Sequence, residues 1–286
     1  MHAWTFEAIG TAWQIDTREQ LAADVRAAVA DCIEQFDRSW SRFRDDSMVA
    51  EMARRAGRHD LPDQGAWLLD FYGELHDLTD GAVNPLVGRT LSDLGYDAAY
   101  SLTPSASPAP VPAWSSITWD ESSIRTTQPV LLDVGAAGKG LLVDLLEGIV
   151  HHHGLNQFTI DASGDIYHHG TLPIRVALEH PADPTRAVGV VELDPEDALC
   201  ASATNRRTWG DGLHHVLDAR TGRPTTDVVA TWVVAPQSCM VADGLATAHF
   251  FAEPEILTDR FQHEYVRMHA DGRIAWSSHF PGEIFT

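Results

Sequence analysis

The feature that most constrains this chain is the stretch from 130 to 154, VLLDVGAAGKGLLVDLLEGIVHHHG. A short apolar run at 130–132 leads to Asp133 and then to a loop of small residues around Lys139. Leucine and isoleucine then recur at helical spacing as far as Gly154, a residue typical of helix ends. The pattern predicts a strand, a tight loop and a helix. The backbone N–H groups at the start of such a helix, together with Lys139, suit an anion such as phosphate.

The spacing of the glycines excludes a P-loop, which needs four residues between its first two glycines and then Lys followed by Ser or Thr. Only two alanines separate Gly135 from Gly138, and a glycine follows Lys139, so the hydroxyl that would hold magnesium is missing. The Gly-x-Gly-x-x-Gly register of dinucleotide-binding folds is absent as well. A glycine-rich turn that only packs the helix against the strand remains an alternative.

The composition predicts a globular protein of the reducing cytoplasm. The 286 residues, 44% of them hydrophobic, are enough for one large domain or for two lobes with a substantial core. The sequence contains no run of 18 apolar residues, so we expect no membrane span. The first residues, MHAWT, lack the basic and apolar regions of a signal peptide. The three cysteines, Cys32, Cys200 and Cys239, are far apart and odd in number, which favours reduced thiols over a disulfide framework or a zinc site.

The net charge of −21, with the histidines counted as neutral, limits the possible partners. A field of this sign repels nucleic acid and anionic membranes, so we expect neither as a partner. The same field opposes a phosphorylated ligand. Such a ligand would therefore need local help from basic residues, backbone dipoles or a metal cation.

The hydrophobic periodicity predicts strands and helices in mixed order. Residues 3–16 alternate as a strand with a break, and Thr17, with a glutamine three residues on, predicts the capped start of a first helix. Residues 101–116, rich in Pro, Ser and Ala, predict an exposed excursion. A hairpin turned by Asp271-Gly272 ends the pattern. Hairpins beside helices predict an α+β or α/β fold with a partly antiparallel sheet.

A metal site built from oxygen ligands is predicted on the helix that starts at Ser238. Asp243 and Thr247 are four residues apart and therefore share one face of this helix, and their small neighbours leave room beside it. A carboxylate and a hydroxyl are ligands suited to Mg²⁺. The alternative is that Asp243 is an ordinary exposed residue and that Thr247 faces the core.

A second group of candidate residues lies around His215. A histidine with a pKa near neutrality can act as a general base, and the two arginines of the following segment, 218–224, can contact phosphate. The alternative is that this segment only builds a turn. Asp133, at the end of the predicted strand, is either functional or a turn carboxylate. The histidine runs 151–153 and 168–169 are typical of exposed element ends, and we expect no metal at either.

Four motifs, taken in order, carry a resemblance to a known family. They are DVGAAGKG at 133–140, DASGDI at 161–166, HVLDARTGRP at 215–224 and ADGLATA at 242–248. This series resembles the ApbE family of FAD:protein FMN transferases, and GT at 10–11 and SRFRDDS at 41–47 are similar to that family's early motifs. The match covers nearly the whole chain. It implies a single domain over residues 1–286 with an ApbE-like, T-fold-type architecture, in which mixed, partly antiparallel sheets and helices form two intertwined lobes.

The resemblance also implies a function. Members of this family bind Mg²⁺ and FAD, cleave FAD, and attach FMN through a phosphoester bond to a Thr or Ser of a target flavoprotein. The chain would then be a cytoplasmic transferase with FAD as its substrate, Mg²⁺ as its metal and a flavoprotein as its partner, without nucleic acid or membrane insertion. One alternative is an FAD pyrophosphatase that releases FMN and AMP. The other is a non-catalytic FAD-binding protein.

The resemblance assigns roles to residues by their position in the motifs. It implies that His215 and Asp243 are catalytic, with His215 as the base beside the transferred phosphate. It implies that Mg²⁺ lies between the Ala136 carbonyl, Asp243 and Thr247. The residues that it implies for FAD contact are Ile9, Phe43, Ala82, Val83, Asn84, Asp133, Lys139 and Leu217.

The chain departs from the family pattern at three places. The family's Gly-x-Phe-Asp-Pro appears as GAVNP at 81–85, which lacks the aromatic ring and the carboxylate. The Asn expected after the serine loop is missing around Glu51-Met52, and an expected Ser-Gly appears as Ser202-Ala203. The first departure puts the flavin contact of Ala82, Val83 and Asn84 in question and favours the non-catalytic alternative.

Overall fold

The computed structural model describes residues 1–285, which divide into two compact units. Unit 1 consists of residues 1–33, 139–205 and 226–285, and unit 2 of residues 34–138 and 206–225. Each unit combines antiparallel sheets with helices, which confirms the predicted α+β class with partly antiparallel sheets. The interpretation of residues 1–286 as a single domain stays a prediction.

The described residues contain 18 strands and seven α-helices. The strands are β1 (His2–Ala8), β2 (Thr11–Thr17), β3 (Gly57–Asp60), β4 (Ile117–Trp119), β5 (Ser123–Thr126), β6 (Phe158–Asp161), β7 (Asp165–His169), β8 (Ile174–His180), β9 (Asp183–Leu193), β10 (Asp197–Ala203), β11 (Thr208–Trp209), β12 (Leu213–His214), β13 (Leu217–Asp218), β14 (Arg223–Pro224), β15 (Val228–Pro236), β16 (Glu264–His269), β17 (Ile274–Trp276) and β18 (Gly282–Ile284). The helices are α1 (Ala23–Trp40), α2 (Met48–Arg54), α3 (Gly65–Leu78), α4 (Gly88–Asp93), α5 (Gly138–His152), α6 (Cys239–Ala248) and α7 (Pro254–Thr258). Short 3₁₀-helices lie at Pro85–Val87, Trp114–Ser116 and Thr204–Arg206.

An eight-stranded antiparallel sheet forms the centre of unit 1. Its strand order is β1-β2-β6-β7-β10-β15-β16-β17. Residues of this sheet, among them Ile166, Leu199 and Trp232, share one hydrophobic cluster with Leu178 and Val191 of the three-stranded sheet β18-β9-β8. Helix α6 packs on β10 and β15 of the large sheet. The sheet thus gives α6, which carries the predicted metal ligands, a rigid support.

Unit 2 has smaller sheets and a separate core. It contains the three-stranded sheet β3-β5-β4 and the two short hairpins β11-β12 and β13-β14. Leu91, Leu94 and Tyr96 form a hydrophobic cluster with Trp209 and Leu217 from the short hairpins. The predicted excursion at 101–116 contains no strand and ends in a 3₁₀-helix, as its composition indicates.

The predicted strand at 130–132 is wrong, although the helix that follows it is present as α5. The backbone N–H of Val130 donates to the carbonyl of Met52 at 3.1 Å, and that of Asp133 donates to the carbonyl of Pro85 at 2.7 Å. These hydrogen bonds go to α2 and to the 3₁₀-helix that begins at Pro85, and they form no strand ladder. Val130 is nevertheless buried, which explains the apolar run in the sequence.

The prediction for the first residues of the chain needs two corrections. Residues 3–16 are two paired strands of a hairpin, because Ile9 and Gly10 both have positive φ angles, 43° and 76°, and turn the chain between β1 and β2. Thr17 is the last residue of β2 and does not cap a helix. Its hydroxyl donates to the carbonyl of Glu19, and α1 begins only at Ala23.

Cys32, Cys200 and Cys239 are free thiols, and the last two are buried. Burial raises the pKa of Cys200 and Cys239, so both thiols stay protonated near neutral pH. Within residues 1–285, no helix combines the length and apolar character that crossing a membrane requires.

Helix α5 approaches the first turn of α6 so closely that only glycine fits at position 140. A Cβ on Gly140 would lie 2.2 Å from the carbonyl oxygen of Cys239. We therefore expect Gly140→Ala to lower the free energy of unfolding by about 1–3 kcal/mol, because backbone has to move to make room for the methyl group. Urea unfolding of the purified variant measures this change.

Gly148 supplies a matched control on the same helix. A Cβ there meets no heavy atom within 4 Å, and the position is exposed. We expect Gly148→Ala to raise the free energy of unfolding by up to about 1 kcal/mol, because alanine favours the helix over glycine. Equal stability of the two variants would contradict the close approach of α5 to α6.

Candidate active site

In unit 1, Lys139 lies in the first turn of α5 and forms an ion pair with Asp165. Its Nζ also donates a hydrogen bond to the carbonyl oxygen of Ala162 at 3.2 Å. The two partners lie on either side of the turn between β6 and β7, where Ser163 and Gly164 have φ angles of 57° and 106°. This tight turn brings the first residue of β7, the fully buried Asp165, to the lysine.

Asp243 belongs to the same cluster and is 5% exposed on α6. Its Oδ2 accepts a hydrogen bond from the backbone N–H of Gly140 at 3.0 Å, one residue after Lys139. Thr247 lies one turn further along α6 and is half-buried. The structure therefore brings Lys139, Asp165 and Asp243 together, with Thr247 on the same face of α6 as Asp243. We call Lys139, Asp165 and Asp243 the lysine–carboxylate cluster.

The lysine–carboxylate cluster has two carboxylates for one ammonium group. Burial, together with the charge of Asp165, holds the pKa of Asp243 well above its usual range. Burial also raises the pKa of Asp165, although Lys139 opposes this shift. Burial alone would lower the pKa of Lys139, but the two carboxylates outweigh that effect and raise it. A fully ionised cluster would carry one uncompensated negative charge.

This charge balance fits a divalent cation. The uncompensated negative charge disfavours ionisation of Asp243, and a bound cation would remove that penalty. The available ligand atoms are carboxylate oxygens and the Thr247 hydroxyl, a set that matches Mg²⁺ and not a softer metal. Asp243 and Thr247 therefore have the chemistry of the predicted metal ligands.

Asp144, on α5, fixes the start of α6. Its carboxylate accepts hydrogen bonds from the Ser238 hydroxyl at 2.8 Å and from the backbone N–H groups of Cys239 and Met240 at 2.7 and 3.0 Å. These hydrogen bonds lower the pKa of Asp144, but burial has the larger effect and raises it to about 6. Asp144 is thus a positioning residue that holds α6, and with it Asp243, beside α5.

The loop before α5 does not have the free backbone N–H groups that the sequence predicts. Each donates to an acceptor within unit 2: Gly135 to the Asp133 carboxylate, Ala136 to the Tyr72 hydroxyl, and both Ala137 and Gly138 to the Val134 carbonyl. In the first turn of α5, the N–H of Gly140 donates to the carboxylate of Asp243. The phosphate-binding argument therefore depends on the charge of Lys139 and on a metal, and no longer on the loop backbone.

In unit 2, Asp133 is paired with Arg42, a residue of the 41–47 motif to which the sequence analysis assigned no role. Nε of Arg42 donates to Oδ2 of Asp133 at 2.5 Å, and Nη1 of Arg42 donates to the carbonyl of Tyr96 at 2.6 Å. The guanidinium also lies over the rings of Phe43 and Tyr96, at 4.2 and 4.6 Å from their centroids. Arg42 thereby joins two predicted FAD contacts, Asp133 and Phe43, and its charge compensates that of Asp133.

Ala82, Val83 and Asn84 lie beside the hairpin that contains Leu217. The carbonyl of Ala82 accepts a hydrogen bond from the N–H of Ala219 at 3.0 Å. Oδ1 of Asn84 accepts from the N–H of Leu86 at 2.9 Å and so starts a 3₁₀-helix. The asparagine therefore has a local structural role at the position where the family motif carries a carboxylate.

His215 lies between the short strands β12 and β13 of unit 2 and is partly buried. Burial lowers its pKa to about 4, and the neighbouring Arg207 and His214 add to the effect. Its Nδ1 is buried, and the described part of the chain gives this nitrogen no hydrogen-bond partner. At neutral pH, His215 is thus uncharged and able to accept a proton.

Ile9, the remaining predicted contact, lies at the tip of the β1–β2 hairpin in unit 1. Its φ of 43° is unusual for a β-branched residue, and such strain is concentrated at functional sites. The hydroxyl of Ser163, in the turn before Asp165, donates to the carbonyl of Ala12 at 2.7 Å. This hydrogen bond ties the hairpin to the turn that carries Asp165.

Comparison with known proteins relates this chain to flavin transferases. A sequence profile described as the ApbE family matches residues 9–268. An FAD:protein FMN transferase from Rhodobacter capsulatus is 30% identical over 85% of this chain and 50% of its own length. One from Klebsiella pneumoniae (strain 342) is 25% identical over 86% of this chain and 77% of its own length. The chain spans about half the length of the first of these relatives and 56% of a third relative, from Vibrio cholerae.

Solved structures of the same family have the same fold. The ApbE protein from Thermotoga maritima superimposes with a TM-score of 0.84 at 20% identity, over 97% of each chain. The flavin transferase ApbE from Vibrio cholerae gives a TM-score of 0.79 at 23% identity, over 98% of this chain and 97% of that one. At these identities, the likeness establishes the ApbE-like fold.

Proposed function

The chain belongs to the ApbE family, and we propose that it is a Mg²⁺-dependent FAD:protein FMN transferase. In the proposed reaction, the hydroxyl oxygen of a Thr or Ser in a target flavoprotein bonds to the flavin-side phosphorus of FAD. The pyrophosphate bond to AMP breaks, AMP leaves, and the hydroxyl proton passes to a base. The names of the relatives support this reaction class.

The observation that carries the proposal is the charge balance of the lysine–carboxylate cluster. Asp243 and Thr247 would hold the metal, and Ala136 stays a predicted carbonyl ligand. Lys139 would offer its ammonium group to an FAD phosphate, which offsets the repulsion expected from a chain with a net charge of −21. When bound, Mg²⁺ would stabilise the negative charge that develops on the phosphate oxygens.

His215 is the proposed base. A pKa of about 4 makes a weak base in the free protein, but a nearby phosphate group favours the imidazolium form and raises the pKa towards neutrality. Substrate binding would thus strengthen the base at the step that uses it. Asp133, Phe43, Ala82, Val83, Asn84, Leu217 and Ile9 are the proposed FAD contacts.

The proposal is tested by incubating the protein with FAD, Mg²⁺ and a peptide that carries an acceptor threonine. We expect a covalent flavin adduct in the mass spectrum of the peptide, and a rate about a hundredfold lower for His215→Gln, because a positioned base contributes at least that factor. His76→Gln is the matched control in unit 2, because its ring stacks on Trp114 and contacts the neighbouring Asp77, and because it is not among the proposed FAD contacts.

The other outcomes separate the alternatives. Release of FMN and AMP without an acceptor would identify an FAD pyrophosphatase. Bound FAD without turnover under any divalent metal would identify a flavin-binding protein, in line with the altered segment at 82–84. Either outcome would contradict the transferase. The cytoplasmic location stays a prediction.

A further inference from the structure

A second group of metal-binding side chains lies in unit 1, away from the motif residues. Glu147 and His151 are one turn apart on α5, and His169 is the last residue of β7. One potential ligand atom from each residue lies within 4.8 Å of the other two. These three residues form what we call the Glu–His–His cluster. The sequence gave no reason to combine them, because both histidine runs are typical of exposed element ends.

The Glu–His–His cluster is held by rigid elements. The pairing of β6 with β7 places Phe158 opposite His169, and the two rings stack at 5.2 Å between centroids and 14° between planes. Phe158 is 1% exposed, so the His169 ring rests on the core of the unit. The centroids of the His151 and His169 rings are 5.0 Å apart. Small side-chain rotations therefore suffice to bring all three ligand atoms onto one ion.

An unsatisfied nitrogen distinguishes the cluster from an ordinary surface ion pair. Nδ1 of His169 is buried and has no hydrogen-bond partner among residues 1–285. Buried polar atoms without a partner are uncommon in folded proteins. Glu147 and His151, 3.4 Å apart, could interact as an i,i+4 pair without any third residue. That pairing would not account for the buried Nδ1 of His169, which has no hydrogen-bond partner in the described chain.

The ligand types select the metal. Two imidazoles and one carboxylate suit zinc and other divalent transition metals, whereas Mg²⁺ and Ca²⁺ prefer oxygen ligands only. Three protein ligands leave a further position for water, as in open zinc sites. We propose that Glu147, His151 and His169 bind one divalent transition-metal ion of the zinc type, at a site separate from the proposed Mg²⁺ site.

The test is a Zn²⁺ titration by calorimetry at about pH 7.5, because protons compete with the metal for its ligands at lower pH. Excess Mg²⁺ is present to occupy the Asp243 site. We expect one strong Zn²⁺ site per chain. Glu147→Gln and His151→Ala should each weaken it at least about tenfold, because a ligand is lost. His152→Ala and His153→Ala are matched controls, because both residues are exposed neighbours on the same helix end and should leave the affinity unchanged.

Two further measurements identify the site and guard against misfolding. Co²⁺ bound in place of Zn²⁺ should give a visible absorption band that His169→Asn removes. Zn²⁺ should raise the Tm of the wild-type protein by more than that of Glu147→Gln, a variant that keeps the shape of the side chain. The proposal is overturned if Glu147→Gln and His151→Ala bind Zn²⁺ as tightly as the wild type. It is also overturned if only Asp243→Asn or the two control variants lose binding.

Discussion

Asp243→Asn is expected to lower the proposed FMN transfer activity by about a thousandfold while leaving the protein at least as stable as the wild type. Loss of one preorganised group that stabilises the developing charge costs about two to three orders of magnitude in other enzymes, and loss of the proposed metal would put this variant at the upper end. The asparagine oxygen can still accept the hydrogen bond that the Gly140 N–H donates to Asp243. The loss of activity would therefore reflect the missing charge and not a displaced helix.

The stability of this variant tests the electrostatic origin of the effect. Burial raises the pKa of Asp243 above its usual range. Ionisation of this group therefore opposes folding, and the resulting loss of stability grows as the pH rises from the unfolded pKa of about 4. Asp243→Asn removes the titrating group. Without added metal, its free energy of unfolding should fall less steeply between pH 4 and pH 7 than that of the wild type.

Asp197→Asn is the matched control for Asp243→Asn. Asp197 is a partly buried aspartate on β10, in the same unit, and burial also raises its pKa. We expect this variant to keep the wild-type rate of FMN transfer, because Asp197 is not in the lysine–carboxylate cluster. Equal loss in both variants would indicate a general effect of removing acidic groups. Full activity of Asp243→Asn would exclude Asp243 as a metal ligand.

The motifs that carry the family resemblance also identified the residues that meet in unit 1. Lys139 and Asp243 are 104 positions apart in sequence, yet their adjacency followed from the resemblance and agrees with the charge argument. Periodicity correctly predicted α5, because its apolar residues recur at helical spacing. The apolar run at 130–132 misled, since burial alone does not distinguish a strand from an irregular segment that crosses a core.

Partners supplied by tertiary packing could not be predicted from the same patterns. Asp165 reaches Lys139 only because of the left-handed turn at Ser163-Gly164, and Arg42 pairs with Asp133 across 91 residues. The sequence showed these residues within motifs but contained no signal for the pairs. His169 is a similar case, because its neighbour on α5 depends on how the helix packs on the sheet.

Lys139→Met is expected to lower the free energy of unfolding by about 3 kcal/mol at pH 7. Asp165 is fully buried, and Lys139 is its ion-pair partner. Removing one member of a buried pair typically costs about 3–5 kcal/mol, because the other charge is left uncompensated. The lower end applies here, because the lysine side chain is 22% exposed and solvent already screens part of the interaction. Methionine is similar in length and flexibility, so packing changes little.

The pH dependence and a double variant separate this charge effect from a packing defect. Without Lys139, the pKa of Asp165 rises further, because burial already raises it in the wild type and the lysine opposes that shift. The carboxyl is then protonated over a wider range, so the difference between Lys139→Met and the wild type should be largest at pH 7 and shrink towards pH 4. Adding Asp165→Asn to Lys139→Met removes the stranded charge and should recover most of the lost stability in urea unfolding. A double variant that is less stable than Lys139→Met would show that the lysine acts mainly through packing. The uncompensated negative charge of the cluster could then not be the reason why it binds a divalent cation.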